Sequence, residues 1–338
     1  MNTNLASHIT RMPKVELHVH LAGGIQPQLL LQLAQRNHVD LPADTVEGLQ
    51  QWYAFRDFPH FVDIYVAITR CMKTAADIEL VTTEFLHDQF LQNVQHTEIT
   101  HTISTPWNLH GISFDEQLAA INRSRDTIAR THGITASLIV DIAREQTPQE
   151  GLMIADWVIA NHGSGVDALG LGGYEVGHPP EKHARSFERA RNNGVPCILH
   201  AGETAGPESI RGALRVADSR RIGHGVRAME DPSLMAYLKA TQIPLEVCPS
   251  SNICLGVYPS LAEHPIQRLI DAGLCVTLNS DDPPMFNTTL TDEYRRCTAQ
   301  FGWDKPVLRA LNLAAARAAL VGPERKTALA KLIEEFDP

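Results

Sequence analysis

Short apolar runs alternate along the chain with longer segments of helical period, and the runs end in clusters of His, Asp, Glu and Gly. A short apolar run bounded by turn residues reads as a buried strand, and one followed each time by a helical segment reads as a βα unit. On that pattern, strands are predicted over 15–20, 98–103, 136–141, 166–171, 196–200, 221–224, 244–248 and 274–278. Helices are predicted over 27–36, 58–73, 76–91, 114–132, 147–161, 180–192, 208–216, 232–239, 265–272 and 289–297. Start signals at Thr147-Pro148 and Asp231-Pro232, and stop signals at Asn193-Gly194 and Ala272-Gly273, mark several ends. From Lys305 onward, residues rich in Ala, Leu, Lys and Glu read as closing helices. Eight parallel strands are what a barrel needs, so the expected class is α/β, a (β/α)8 TIM barrel with extra C-terminal helices. An open doubly wound sheet of the same units has the same periodicity.

About 77 residues separate the first two predicted strands, far more than one crossover requires. The helical insertion, about residues 45–92, is expected to lie over one end of the barrel, as a gate or as surface structure. Polar, Gly-rich stretches such as 170–180 sit between periodic segments and read as loops, so residues 1–338 are expected to form a single domain. With 29 Lys and Arg against 39 Asp and Glu, the net charge is −10, which argues against a nucleic-acid polymer as partner. There is no signal-peptide pattern and no apolar run of about 18 residues, so a cytoplasmic protein away from membranes is expected. Six cysteines without a Cys-x-x-Cys pair read as small hydrophobes, not as a disulfide framework.

The polar strand ends carry the chemistry. In Val15-Glu-Leu-His-Val-His20, alternation puts His18 and His20 on one face, a spacing that suits one metal ion and equally suits one core and one exposed histidine. Cys197-Ile-Leu-His-Ala-Gly-Glu203 sets His200 at a strand terminus with Glu203 on the turn beyond it. Arg221-Ile-Gly-His-Gly225 leaves His224 between glycines, where a ligand can approach closely. Thr277-Leu-Asn-Ser-Asp-Asp282 ends in adjacent acids, costly neighbours unless a cation or polar ligand compensates them. In parallel βα units all these ends share one rim. His18, His20, His200 and Asp281 supply three nitrogens and one oxygen, which suits zinc with one position open to water, although iron, manganese and nickel accept the same donor types. A divalent ion there lowers the pKa of water toward neutrality, so hydrolysis is expected. Glu203, His224 and Asp282 remain for the chemistry.

Met12-Pro-Lys-Val-Glu-Leu-His-Val-His-Leu21, His200-Ala-Gly-Glu203, Arg221-Ile-Gly-His-Gly225, Cys248-Pro-Ser-Ser-Asn252 and Ser280-Asp-Asp282, in this order, resemble the adenosine deaminase family of the metal-dependent amidohydrolase superfamily. The resemblance spans about residues 12–320 and is weakest around 45–57. It implies a distorted (β/α)8 barrel, here a single metal-dependent deaminase domain, with one Zn2+ per chain held by His18, His20, His200 and Asp281. It further implies that Glu203 donates a proton to purine N1 as water adds at C6, and that His224 orients and deprotonates that water. Asp282 would meet purine N7, and Gly173 would present its backbone to N3.

One position departs from the pattern. Adenosine-specific members commonly carry Asp after His-x-His-Leu, meeting the ribose 5′-hydroxyl, whereas this chain has Ala22. Alanine accepts no hydrogen bond, so the space beside Ala22 is expected to decide the substrate. The first expectation is zinc-dependent deamination of adenosine or a 5′-modified adenosine with release of ammonia. The alternatives are 6-aminodeoxyfutalosine, of menaquinone biosynthesis, and free adenine. The Phe55–Phe61 stretch, with Arg56, and Trp107 are candidate pocket walls, or ordinary packing. A two-metal amidohydrolase would need a carboxylated lysine that no strand end offers. A non-enzymatic scaffold fits poorly with a full set of ligands and acid-base groups. A nucleic-acid deaminase would need the His-x-Glu and Pro-Cys-x-x-Cys arrangement, which is absent.

Overall fold

The computed structural model describes residues 3–336, and its centre is a ring of eight parallel strands. These are β1 (Lys14–His20), β2 (Val94–His101), β3 (Thr135–Ala143), β4 (Ala168–Gly172), β5 (Cys197–Ala201), β6 (Arg221–His224), β7 (Leu245–Val247) and β8 (Val276–Leu278). They follow one another in chain order, each parallel to the next, so the chain is a (β/α)8 TIM barrel. Every strand predicted from apolar runs is present, with ends shifted by a few residues.

Closure between β8 and β1 uses little regular ladder. Asp281, just past β8, forms a parallel bridge with Val19. Its N–H donates to His18 O (3.1 Å), and its carbonyl accepts from His20 N–H (2.8 Å). Lower down, side chains replace the missing strand. The Leu17 N–H donates to Asn279 Oδ1 (2.9 Å), and the Val15 N–H donates to Asn312 Oδ1 (3.2 Å). Buried backbone donors need partners, and here amide side chains supply them.

On β1, Val15 and Leu17 pack against Ala315, Ala316, Leu329 and Ile333 of the helices Lys305–Ala318 and Pro323–Glu335. The turn between those helices seals the barrel floor. Ala318 O accepts from Arg221 Nη1 (2.9 Å), and Ser137 Oγ donates to Leu320 O (3.1 Å). Above this floor the interior is charged. Arg221, fully buried, pairs with Glu98 through Nη2 (2.5 Å) and with Glu246 through Nε. Burial alone would raise both carboxyls, but the adjacent guanidinium outweighs it and holds both below the usual range.

Between β1 and β2 run the helices Pro27–Asn37, Val46–Trp52, Phe58–Thr69 and Ala75–Leu91. Asp57 caps the third by accepting from His60 N–H (2.8 Å), and Thr74 with Asp77 forms a capping box on the fourth. The segment predicted as one helix over 180–192 is split into a 3-10 turn, Pro180–His183, and an α-helix, Ala184–Asn192. Sequence periodicity misses the helices Thr3–Arg11, Val46–Trp52, Ser104–His110 and Pro249–Cys254, each shorter than the roughly 11-residue window in which helical period stands out. No helix among the described residues is long and apolar enough to cross a membrane.

Replacing Arg221 by Leu strands two buried carboxylates, so a loss on the order of 3–5 kcal/mol is expected from urea unfolding followed by circular dichroism. A loss under about 1 kcal/mol would show that the interior ion group does not support the barrel.

Candidate metal centre and active site

The strand ends predicted to be chemical do meet at one rim. His18 and His20 leave β1 on the same face, His200 comes from β5 and Asp281 from the turn after β8. Donor atoms of these four all lie within 4.8 Å of one another. His20 Nε2 stands 3.1 Å from His200 Nε2, and Asp281 Oδ1 stands 3.4 Å from His18 Nε2 and 3.3 Å from His20 Nε2. Asp281 (φ 66°) and His224 (φ 61°) both sit in the left-handed region, unusual for residues with a Cβ.

Hydrogen bonds behind the rings fix their tautomers. His18 Nδ1 donates to Glu246 Oε2 (2.9 Å), and His200 Nδ1 donates to the Leu171 carbonyl (2.9 Å). Each neutral ring therefore turns a bare Nε2 lone pair toward the same point, beside the Asp281 carboxylate. His18 Nε2 is buried and has no hydrogen-bond partner. Converging lone pairs and a carboxylate repel unless a cation lies between them. Donor atoms of a tetrahedral zinc site, each about 2.0–2.1 Å from the ion, stand roughly 3.3–3.4 Å apart, close to the separations here. Electrostatics agree. Burial disfavours a charged His18, yet Asp281 and Glu246 outweigh it and lift its pKa to about 10, so without an ion the ring takes a proton at Nε2, where a metal cation would otherwise sit. The Cys248 thiol is near the same cluster, but burial and then Asp281 push it well above its ordinary value, and it donates weakly to Glu246 O. It remains a thiol.

Around the cluster stand the other predicted residues. Glu203, buried, lies on a turn held by Glu175, whose carboxylate accepts from the N–H groups of Gly202 (2.6 Å), Glu203 (3.1 Å), Thr204 (2.8 Å) and Ala205 (2.8 Å). Burial first, then Asp281 and Glu175, push the Glu203 carboxyl well above the usual range, favouring its neutral form. His224 Nε2 is 3.8 Å from both Glu203 Oε2 and Asp281 Oδ2. Burial and the neighbouring His18 and His20 hold His224 down to about 3, so it is neutral. Asp282 is pushed up by burial and by adjacent Asp281. Glu203, His224, Asp282 and Gly173 (φ 94°) line one cavity of about 270 Å3 with the metal-site residues.

Some expectations are revised. Ala22 does not line this cavity, because the turn after β1 folds it into the apolar core, where it is 2% exposed. Phe58 and Phe61 do line the cavity, while Phe55 packs on Phe61 and Phe286, so the aromatic stretch serves as both wall and packing. Arg56 is exposed and Trp107 is 46% exposed, and neither reaches the cavity, which has Thr102 and Thr105 on that side. Sequence reading passed over Asp141, Glu145, Glu175 and Arg144. Asp141, on β3, reaches the cavity with both carboxylate oxygens buried and unpartnered, and burial lifts its pKa to about 6. Arg144 braces His200 by donating to its carbonyl (2.5 Å). The signal for Asp141 was an acid closing an apolar run, as at Asp281; for Glu175 it was an acid after Gly172-Gly173-Tyr174.

Comparison with known proteins agrees with this geometry. The family model described as adenosine deaminase matches residues 13–336. An adenine deaminase from Albidiferax ferrireducens is 38% identical over 296 residues, covering 86% of this chain and 84% of that protein. The crystal structure of adenine deaminase from Arthrobacter aurescens superposes with a TM-score of 0.92 at 32% identity, covering 96% of this chain and 98% of the other. A zinc-bound amidohydrolase from Burkholderia ambifaria superposes with a TM-score of 0.91 at 27% identity, covering 99% and 94%. A barrel whose rim gathers four histidines, three aspartates and a buried glutamate, matched along nearly its whole length, belongs to the adenosine deaminase family and is an aminohydrolase.

Proposed function

We propose that the protein hydrolyses the 6-amino group of free adenine, using one zinc ion held by His18, His20, His200 and Asp281, and releases ammonia and the 6-oxopurine. The observation that carries this reading is the cavity. Its volume of about 270 Å3 falls below the roughly 300–1,000 Å3 of pockets for larger ligands. Phe58, Phe61 and Val62 form an apolar wall suited to a planar ring. Relatives named adenine deaminase favour the free base over the nucleoside that the motifs alone put first.

Zinc, when bound, supplies the Lewis acidity that lowers the pKa of the attacking water. The remaining steps belong to the chain. Protonated Glu203 gives its proton to N1, so that the ring nitrogen takes up the electron pair displaced as oxygen adds at C6. The proton lost by the attacking water passes to N6, the C6–N6 bond breaks with its electron pair leaving on ammonia, and the remaining O–H proton returns to Glu203 as the C6=O bond forms. Asp282, neutral through burial beside Asp281, donates a hydrogen bond to N7, as a carboxylic acid kept protonated by its surroundings does. Gly173 N–H faces N3. His224 holds the attacking oxygen, and the aromatic wall excludes bulk water.

Ammonia release should show kcat/KM for adenine exceeding that for adenosine and for 6-aminodeoxyfutalosine by about 100-fold or more. A faster rate on either nucleoside overturns the free-base reading, and no release from any of the three rejects aminopurine hydrolysis. Glu203→Gln should retain full zinc by metal analysis while kcat falls about 10²–10⁴-fold. His200→Ala, in contrast, should lose both zinc and turnover; zinc content unchanged in that variant would remove His200 from the ligand set.

A further inference from the structure

His224 ends β6 with its two ring nitrogens in different surroundings. Nε2 faces the reaction site, and Nδ1 lies 3.2 Å from Asn252 Nδ2. Asn252 is wholly buried on the helix Pro249–Cys254, and its Oδ1 lies 3.1 Å from His264 Nε2. His264, 2% exposed, has its Nδ1 3.2 Å from the Ile266 backbone N–H.

Hydrogen-bond direction can be read along this row from its far end. A backbone N–H only donates, so His264 Nδ1 is an acceptor and the ring is neutral with its proton on Nε2. Burial, which holds the His264 pKa near 3, agrees. Nε2–H then donates to Asn252 Oδ1, which fixes the orientation of the amide. The amide N–H in turn donates to His224 Nδ1. A neutral His224 that accepts at Nδ1 carries its proton on Nε2.

We propose that Asn252 and His264 are positioning residues that lock His224 as its Nε2–H tautomer, making it a hydrogen-bond donor to the attacking oxygen and not the base that deprotonates it. Neither residue touches the cavity, and neither acquires a role from the motif resemblance. This assignment refines the deaminase reading, yet the tautomer itself does not depend on which purine is the substrate.

The test is 15N-histidine NMR of the zinc-loaded protein, with the His224 signals assigned by their absence from His224→Asn. The expected spectrum has an unprotonated Nδ1 and a protonated Nε2. A proton on Nδ1 in the unsubstituted protein overturns the proposal whatever the substrate. Asn252→Asp, which can only accept, should move the proton to Nδ1 and lower kcat about 100-fold, with KM changed less than about threefold and zinc retained. A kcat within threefold despite the moved proton also overturns it. If Asn252→Asp does not fold, His264→Phe and His264→Gln serve instead. The first should give mixed His224 tautomers and reduced kcat. The second, whose amide N–H can donate to Asn252, should restore most of both; equal behaviour of the two variants counts against the row. Failure to deaminate adenine alongside the expected spectrum would reject the substrate and leave the tautomer assignment standing.

Discussion

A guanidinium buried in the middle of the barrel is the constraint on which the active rim depends. Arg221 rests on the Ala318 carbonyl at the floor and pairs with Glu98 and Glu246. The second oxygen of Glu246 accepts a hydrogen bond from His18 Nδ1–H, which turns His18 Nε2 toward the candidate metal position. One positive charge faces two carboxylates, so the interior keeps an excess negative charge directly beneath the site. An apolar core would serve stability as well or better, because burying ions is costly even when they are paired. What an apolar core would not do is orient an imidazole and raise its affinity for a cation. The rings are aimed before any ligand arrives, which limits the reorganisation left for binding.

Barrel closure and the candidate metal cluster meet at the same residue. The Asp281 backbone completes the β8 to β1 connection through Val19, His18 and His20, while its side chain faces the histidines. An ion held by Asp281, His18 and His20 would bridge the two edges of the ring at its least regular joint. Binding selective for the folded chain would stabilise it by linkage, coupling metal and barrel integrity through this seam. The left-handed φ of Asp281 fits that double duty, since a residue continuing as regular strand would turn its carboxylate away from the cluster.

The strands were legible because short, largely apolar runs alternated with helical segments, even where an interior Glu98, Arg221 or Glu246 broke the run. The site was legible for the same reason in reverse: His18, His20, His200, His224 and Asp281 interrupt such runs at one end only. What the chain order concealed were partners that act across strands. Asn279 and Asn312 look like ordinary polar residues until the seam is seen to lack donors and acceptors. Glu175 acquires meaning only when the turn after β5 presents four N–H groups to it. His264 is separated from His224 by 40 positions and meets it only through Asn252. Ala22 failed in the other direction. Its position in the motif suggested the cavity, but the tight turn at Gly23 and Gly24 returns it to the core, with Gly24 N–H donating back to His20 O (2.9 Å).

Glycines explain how so many acids fit into so small a space. A Cβ on Gly170 would lie 1.8 Å from Asp141 Oδ1, and one on Gly172 would lie 2.4 Å from Oδ2. On the opposite side, a Cβ on Gly23 would lie 1.6 Å from Asp282 Oδ1. Two carboxyl groups are thus seated in hollows that exist only where a neighbouring residue has no side chain. Yet both Asp141 oxygens and Asp282 Oδ1 are buried without a protein partner. Unsatisfied polar atoms of this kind each cost on the order of 1–3 kcal/mol. The fold carries that cost at the cavity wall, where a planar ligand rich in ring nitrogens would supply the missing partners. Strong discrimination follows from the same arrangement: a ligand that fills the volume but lacks matching donors and acceptors leaves the cost unrelieved.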